Sequence, residues 1–201
     1  LSRLNQMLPQ QTHTPWLQMM EETAREYPLC QIPKHKDDVT AQMVLEELDR
    51  LTDSEAILCT EVGQHQMWAA HFYRFRHARQ FITSGGLGTM GYGLGAALGA
   101  KLGNPNLPVI NIAGDGSFHM NCNELSTAAK YNIPVIELIF NNTVLGMVRQ
   151  WQKLFYGHRF SQTDLEKSTN YELLAEAFGV KALTIRTPED ITPVLHEALS
   201  F

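Results

Sequence analysis

The chain has 201 residues, 44% of them apolar and 18% charged, with a net charge of -5. That is enough apolar material for one large domain or two small ones, and it excludes a disordered chain. The acidic balance and the absence of a basic run argue against a nucleic-acid surface; Arg74, Arg76, His77 and Arg79 read as a solvated loop. No stretch has the length and apolarity of a membrane span, and no signal peptide opens the sequence. Cys30, Cys59 and Cys122 have neither disulfide-framework nor metal spacing, which fits a reducing cytoplasm with Cys59 and Cys122 as core thiols. A first residue of Leu1 rather than Met suggests a piece of a longer chain.

In chain order, residues 1–15 are polar, rich in Gln and Thr, and read as a linker. Residues 15–27 predict a helix, with Trp16, Met19, Met20 and Ala24 spaced for one face. Pro28 and Pro33 break the chain over 28–37. Asp38 is the expected N-cap of a helix reaching Leu51, with Val39, Met43 and Leu48 among its apolar positions. Residues 1–37 are thus a linker and N-terminal helix, and 38–201 a domain. Within it strands are predicted at 56–60, 80–84, 108–113, 134–140 and 180–185, and helices at 66–72, 89–102, 122–131, 145–155, 171–178 and 189–199. Short apolar strands alternating with helices define an α/β fold, a three-layer, doubly wound parallel sheet. Ligands bind such sheets beyond the carboxyl ends of the strands. The turns at 61–65, 84–90, 114–118 and 141–146 each follow a strand, so all four line that edge.

Two of these turns suggest a cation and a phosphate. Asp115 lies between Gly114 and Gly116, and Asn142 stands 27 positions further on, after the next strand. A carboxylate, a neutral amide oxygen and a backbone carbonyl near Val144 make a hard-oxygen set for Mg²⁺, with the remaining ligands from a bound diphosphate and water. Ser117 sits at a helix start, where phosphate oxygens are favoured. The turn after the second strand contains GxGxxG at Gly86, Gly88 and Gly91, the pattern of a dinucleotide site. A dinucleotide site also needs an acidic residue about 20 positions on, and residues 101–111 contain none. Gln64 and His65 are polar side chains at a strand end, able to meet phosphate oxygens. No HExxH, CxxC or GxSxG spacing supports zinc or a serine hydrolase.

Together the stretches VGQHQMWAA (62–70), SGGLGTMGYGLGAA (84–97), GDGSFHMNCNELSTAAKYNIPV (114–135) and NNTVLGMVRQWQ (141–152) resemble the thiamine diphosphate enzymes, and most closely the large catalytic subunit of acetolactate synthase. The resemblance implies the thiamine diphosphate-binding fold, within a parent of three domains: pyrimidine-binding, FAD-holding and diphosphate-binding. Only the last is represented here. It implies that Val62, Gly63, Gln64 and His65 hold the cofactor and its diphosphate, and that Gly88 and Met90 face its rings. Met90 is the wedge that bends it; Gln64, His65 and Met90 are the catalytic set. It further implies that Asp115, Asn142 and the carbonyl of Val144 bind Mg²⁺, that Gly116 and Ser117 contact the diphosphate, and that Gly146 and Met147 line the site. Trp151 shapes the pocket for the second substrate.

The implied reaction decarboxylates pyruvate and joins the two-carbon unit to a second 2-oxo acid, pyruvate or 2-oxobutyrate, in branched-chain amino-acid biosynthesis. The implied partners are a second copy of the chain, whose pyrimidine-binding domain supplies a glutamate missing here, and a regulatory small subunit. The family usually has Pro where Gly95 stands, a mild change in a packing helix. Two other readings stay open at this point: a short subunit of a two-chain thiamine diphosphate 2-oxoacid oxidoreductase, and a non-catalytic structural module.

Overall fold

The computed structural model describes residues 2–9, 12–28, 35, 38–165 and 169–201. Two compact units divide it, 1–31 and 32–201. The first holds α1 (Ser2–Met7) and α2 (Thr14–Glu26). α1 falls where composition predicts only linker. α2 opens with Pro15 in its first turn, where the missing N–H has no helical partner to lose. The predicted break at 28–37, with Cys30 inside it, lies outside the described residues apart from Pro28 and His35.

The second unit runs α3 (Ala41–Leu51), β1 (Ile57–Thr60), α4 (Gln64–Phe72), β2 (Phe81–Thr83), α5 (Gly93–Gly103), β3 (Val109–Gly114), α6 (Asp115–Phe118), α7 (Leu125–Tyr131), β4 (Ile136–Phe140), α8 (Gly146–Phe155), α9 (Tyr171–Ala177) and α10 (Ile191–Leu199). Among the described residues there are four strands, all parallel, in the order β2-β1-β3-β4. Alternation along β3 divides the layers. Ile110 and Ile112 face one way, into a core with Val44, Leu45 and Leu48 of α3, Ala69 of α4, and Ile191 and Leu195 of α10. Val109 and Ala113 face the other, one toward Ala97 of α5 and one toward Leu94, Leu98 and the α7 residues Leu125 and Ala128. Helices therefore cover both faces, as the apolar strands predict.

Four sequence expectations are corrected. Thr40, not Asp38, caps α3: its hydroxyl accepts the Met43 N–H at 3.3 Å, while Asp38 stands two residues too early and accepts the His35 N–H instead. α5 starts at Gly93 rather than residue 89, because Gly88 (φ 63°) and Gly91 (φ 89°) are left-handed and cannot join a right-handed helix. Arg74 is not merely solvated; its guanidinium pairs with buried Asp49 at 2.7 Å. The strand expected at 180–185 does not form. Its polar side chains are anchored to helices, Lys181 on Glu197 and Thr184 on Glu172, each at 2.6 Å, and no ladder to β4 exists among the described residues. Ile185 still packs against the main core.

Cys59 is buried, as expected of a core thiol, and burial pushes its thiol up to about 12; Cys122 is only half-buried. On the α5 side of the sheet, Cys59, Asn111 and Glu137 stand opposite one another across three strands. Asn111 Nδ2 donates to both Glu137 oxygens at 2.9 Å. Burial pushes the Glu137 carboxyl from 4.5 up to about 8, the Asn111 bond works against this, and the neighbouring Glu61 charge adds to it. Below 4.5 the folded and unfolded chains both hold this proton. Between 4.5 and about 8 only the folded chain does, so rising pH favours unfolding across that window. Urea midpoints measured from pH 5 to pH 9 are expected to fall, and Glu137→Gln is expected to flatten the slope. An unchanged slope in that variant would contradict the assignment to Glu137.

Candidate functional site

Because all four strands run the same way, their carboxyl ends and the turns that follow share one edge. β1 runs into Glu61 and the turn to α4. His65, in the first turn of α4, is 6% exposed, and its ring lies against the backbones of Gly63 and Gly114. Burial drives its pKa down to about 4 against a weaker upward pull from the Glu61 backbone, so the ring is neutral at pH 7. Its Nε2 is buried without a partner among the described residues. The ring is thus a neutral hydrogen-bonding group.

Gln64 Nε2 donates to Gln150 Oε1 of α8 at 2.7 Å, and the Gln64 amide lies where a Gly146 side chain would go. The first and fourth turns thus touch. Met147 follows Gly146, half-buried, in the first turn of α8. After β2, Leu87 stands at the exposed tip of the glycine turn, and Gly88 faces Val62. Met90, half-buried, is held between two tethers: the Thr89 N–H donates to Ser84 Oγ at 3.0 Å, and the Gly91 N–H to Glu61 Oε2 at 2.5 Å.

β3 ends directly in the single helical turn α6. Asp115, its first residue, is 2% exposed. One carboxylate oxygen accepts the Gly116 N–H at 3.0 Å, and the other accepts the Thr143 N–H at 2.7 Å from the turn after β4. That second bond joins the two turns the sequence singles out. Thr143 takes φ 58°, an outlier for a β-branched residue, and its C=O accepts the Leu165 N–H at 2.7 Å. Val144 is bridged antiparallel to Asp164, and its N–H donates to Asn142 Oδ1 at 3.2 Å. Asn142 is otherwise exposed.

Burial raises the Asp115 carboxyl above the ordinary range, more than the Gly116 and Thr143 N–H bonds lower it. A carboxylate has about four acceptor positions, and these two bonds occupy half of them. Asp115 thus keeps acceptor positions to spare, one residue removed through Thr143 from the Asn142 amide oxygen: hard oxygen donors of the kind that suit a divalent cation. Gly116 meets Leu145 and Leu165, whose side chains fill the space over it. Ser117 follows in the same turn. Its hydroxyl is turned inward, donating to the Gly114 carbonyl at 3.1 Å and accepting the Gly114 N–H at 3.2 Å.

Trp151 of α8 is 50% exposed and stacks on Phe155, so it is not a core residue. With Val148, Gln152, Tyr156 and Arg159 it lines an open groove of about 500 Å³. Sequence reasoning gave no role to Glu61, Asn111, Thr143 or Gln150. For Glu61 and Asn111 a signal existed, since a lone acid at a strand end and an amide inside VINIAG both stand in otherwise apolar runs.

The parallel sheet, with helices on both faces and glycine-rich turns after its strands, defines an α/β domain of the kind that binds ligands beyond the carboxyl ends of its strands. More narrowly, the chain belongs to the thiamine pyrophosphate enzymes: the family described as "Thiamine pyrophosphate enzyme, C-terminal TPP binding domain" matches residues 61–201. It is 42% identical over 187 residues to the acetolactate synthase large subunit of Porphyra purpurea, covering 92% of this chain and 31% of that protein. Against the acetolactate synthase isozyme 3 large subunit of Escherichia coli (strain K12) it is 44% identical over 184 residues, with 92% and 32% covered. The probable acetolactate synthase large subunit of Methanocaldococcus jannaschii is 50% identical over 156 residues, with 78% and 26% covered. The resemblance to acetolactate synthase large subunits is borne out. The chain spans about a third of the length of the curated relatives it matches.

Proposed function

We propose that residues 38–201 are the diphosphate-binding domain of an acetolactate synthase catalytic subunit, preceded by a linker and helix over 1–37. The observation that carries this reading is the Asp115–Thr143 hydrogen bond, which gathers both candidate metal turns around one buried carboxylate. When bound, thiamine diphosphate supplies the electron sink for decarboxylating pyruvate and passing the two-carbon unit to a second 2-oxo acid. Asp115, Asn142 and the Val144 carbonyl hold Mg²⁺, which carries the diphosphate. Gly116 and the backbone at Ser117 flank that diphosphate. Val62, Gly63, Gln64, His65, Gly146 and Met147 wall the site, and Gly88 and Met90 support the cofactor rings. His65, neutral and with Nε2 unpartnered, orients a polar group without adding charge. Trp151, half exposed beside an open groove, selects the acceptor by shape.

The reading extends to the whole protein. A pyrimidine-binding domain from a second copy completes the site, FAD sits in a middle domain, a regulatory small subunit docks, and the enzyme works in the cytoplasm. Alone, residues 1–201 hold half a pocket. Calorimetric titration of that fragment with thiamine diphosphate and Mg²⁺ is expected to give weak binding or none, and an assay for acetolactate from pyruvate no turnover. Joined to its upstream domains it is expected to do both. Robust turnover by the fragment alone would contradict the reading.

A further inference from the structure

Glu61, one of the tethers beside Met90, is a buried acid (1% exposed) between β1 and the 62–65 turn. Its carboxylate accepts three backbone N–H groups from the segment that leads into α5 and from its first turn: Gly91 at 2.5 Å, Gly93 at 2.9 Å and Leu94 at 3.2 Å. Its own N–H donates to the Ile112 carbonyl of β3 at 2.9 Å. One residue therefore ties β1, β3 and the segment just after Met90. Gly91, at φ 89°, leaves that segment free to turn, and Asn121 Nδ2 adds a second tether on the Gly91 carbonyl at 3.2 Å.

Charge is part of the device. Burial pushes Glu61 upward, while the three N–H donors favour its ionised form. Burial likewise pushes the nearby Glu137 carboxyl up to about 8, and the Glu61 charge adds to that shift.

Resting on the thiamine diphosphate reading above, we propose that Glu61 is a positioning residue that holds Met90 and the 62–65 turn in fixed register across the cofactor site. Glu61→Gln keeps the shape but presents an NH₂ group to N–H donors; Glu61→Asp keeps the charge on a shorter arm. In the full-length chain, E61Q is expected to speed amide exchange over residues 91–94 by about tenfold or more while Leu58 and Ile110 stay protected. It is also expected to lower kcat by about tenfold, with KM for pyruvate changed far less, and E61D is expected to recover part of both losses. Unchanged exchange at 91–94 overturns the proposal, as does equal acceleration at Leu58 and Ile110, which would make Glu61 a general support of the fold. Local loosening with an unchanged kcat overturns it too. A wild-type protein with no Mg²⁺-dependent thiamine diphosphate binding overturns the functional reading and the proposed role in it, and the exchange result tells that failure apart from failure of the tether itself.

Discussion

Asp115→Asn in the full-length protein is expected to weaken Mg²⁺-dependent thiamine diphosphate binding by about a hundredfold or more, equivalent to roughly 2.7 kcal/mol. The reason is charge rather than shape. Asp115 is buried, and its carboxyl is already raised by that burial, so a divalent cation is the partner that would stabilise its ionised form. Asparagine fills the same volume and keeps one acceptor oxygen, but brings no charge and replaces the other oxygen with a donor. The bond from Gly116 or the one from Thr143 is therefore lost as well. A single lost hydrogen bond is worth about 1 kcal/mol, so the variant should fold with a slightly lowered urea midpoint. Calorimetry separates the two effects. Near-wild-type affinity in a folded variant would remove Asp115 from the metal site.

Gly93→Ala is expected to be the most damaging single-methyl change in the fold. A Cβ on Gly93 would run into Asn111 Oδ1 and lie 2.8 Å from the Glu61 backbone nitrogen. Neither neighbour can yield cheaply. Asn111 is fully buried with its amide on Glu137, and the Glu61 N–H is bonded to Ile112. Overpacking of a rigid site costs about 1–3 kcal/mol and occasionally more. Here it would also pull α5 away from the Glu61 carboxylate, so a loss of about 3 kcal/mol or outright failure to fold is expected. Gly95→Ala is the matched control, in the same helix with nothing within 4 Å of the added carbon. It should be neutral or stabilise by up to about 1 kcal/mol through helix propensity. Chemical denaturation of both variants checks the pair; equal stability would contradict the packing argument.

The layered α/β architecture was legible because β1 and β3 are short apolar runs and the intervening helices carry matched apolar faces. Asp115 and Asn142 were legible because each follows such a run, and parallel strands bring their ends to one edge. The failures have physical causes. The pattern at 180–185 looks like a strand, but Lys181 and Thr184 find partners on helices, which a one-dimensional pattern cannot reveal. The start of α5 depends on left-handed Gly88 and Gly91, the second of which is bonded to Glu61 and Asn121, residues distant in the sequence. Thr143 was invisible because its contribution is a backbone N–H, which any residue but proline supplies. The inward turn of the Ser117 hydroxyl onto Gly114 is a tertiary detail that the residue type alone does not reveal.

The most direct test is a crystal structure of the full-length protein with Mg²⁺ and thiamine diphosphate. The cation is expected about 2.0–2.1 Å from an Asp115 carboxylate oxygen, Asn142 Oδ1 and the Val144 carbonyl, with the diphosphate completing its shell. A cation bound elsewhere, or a diphosphate seated without contact to this edge of the sheet, would contradict the account.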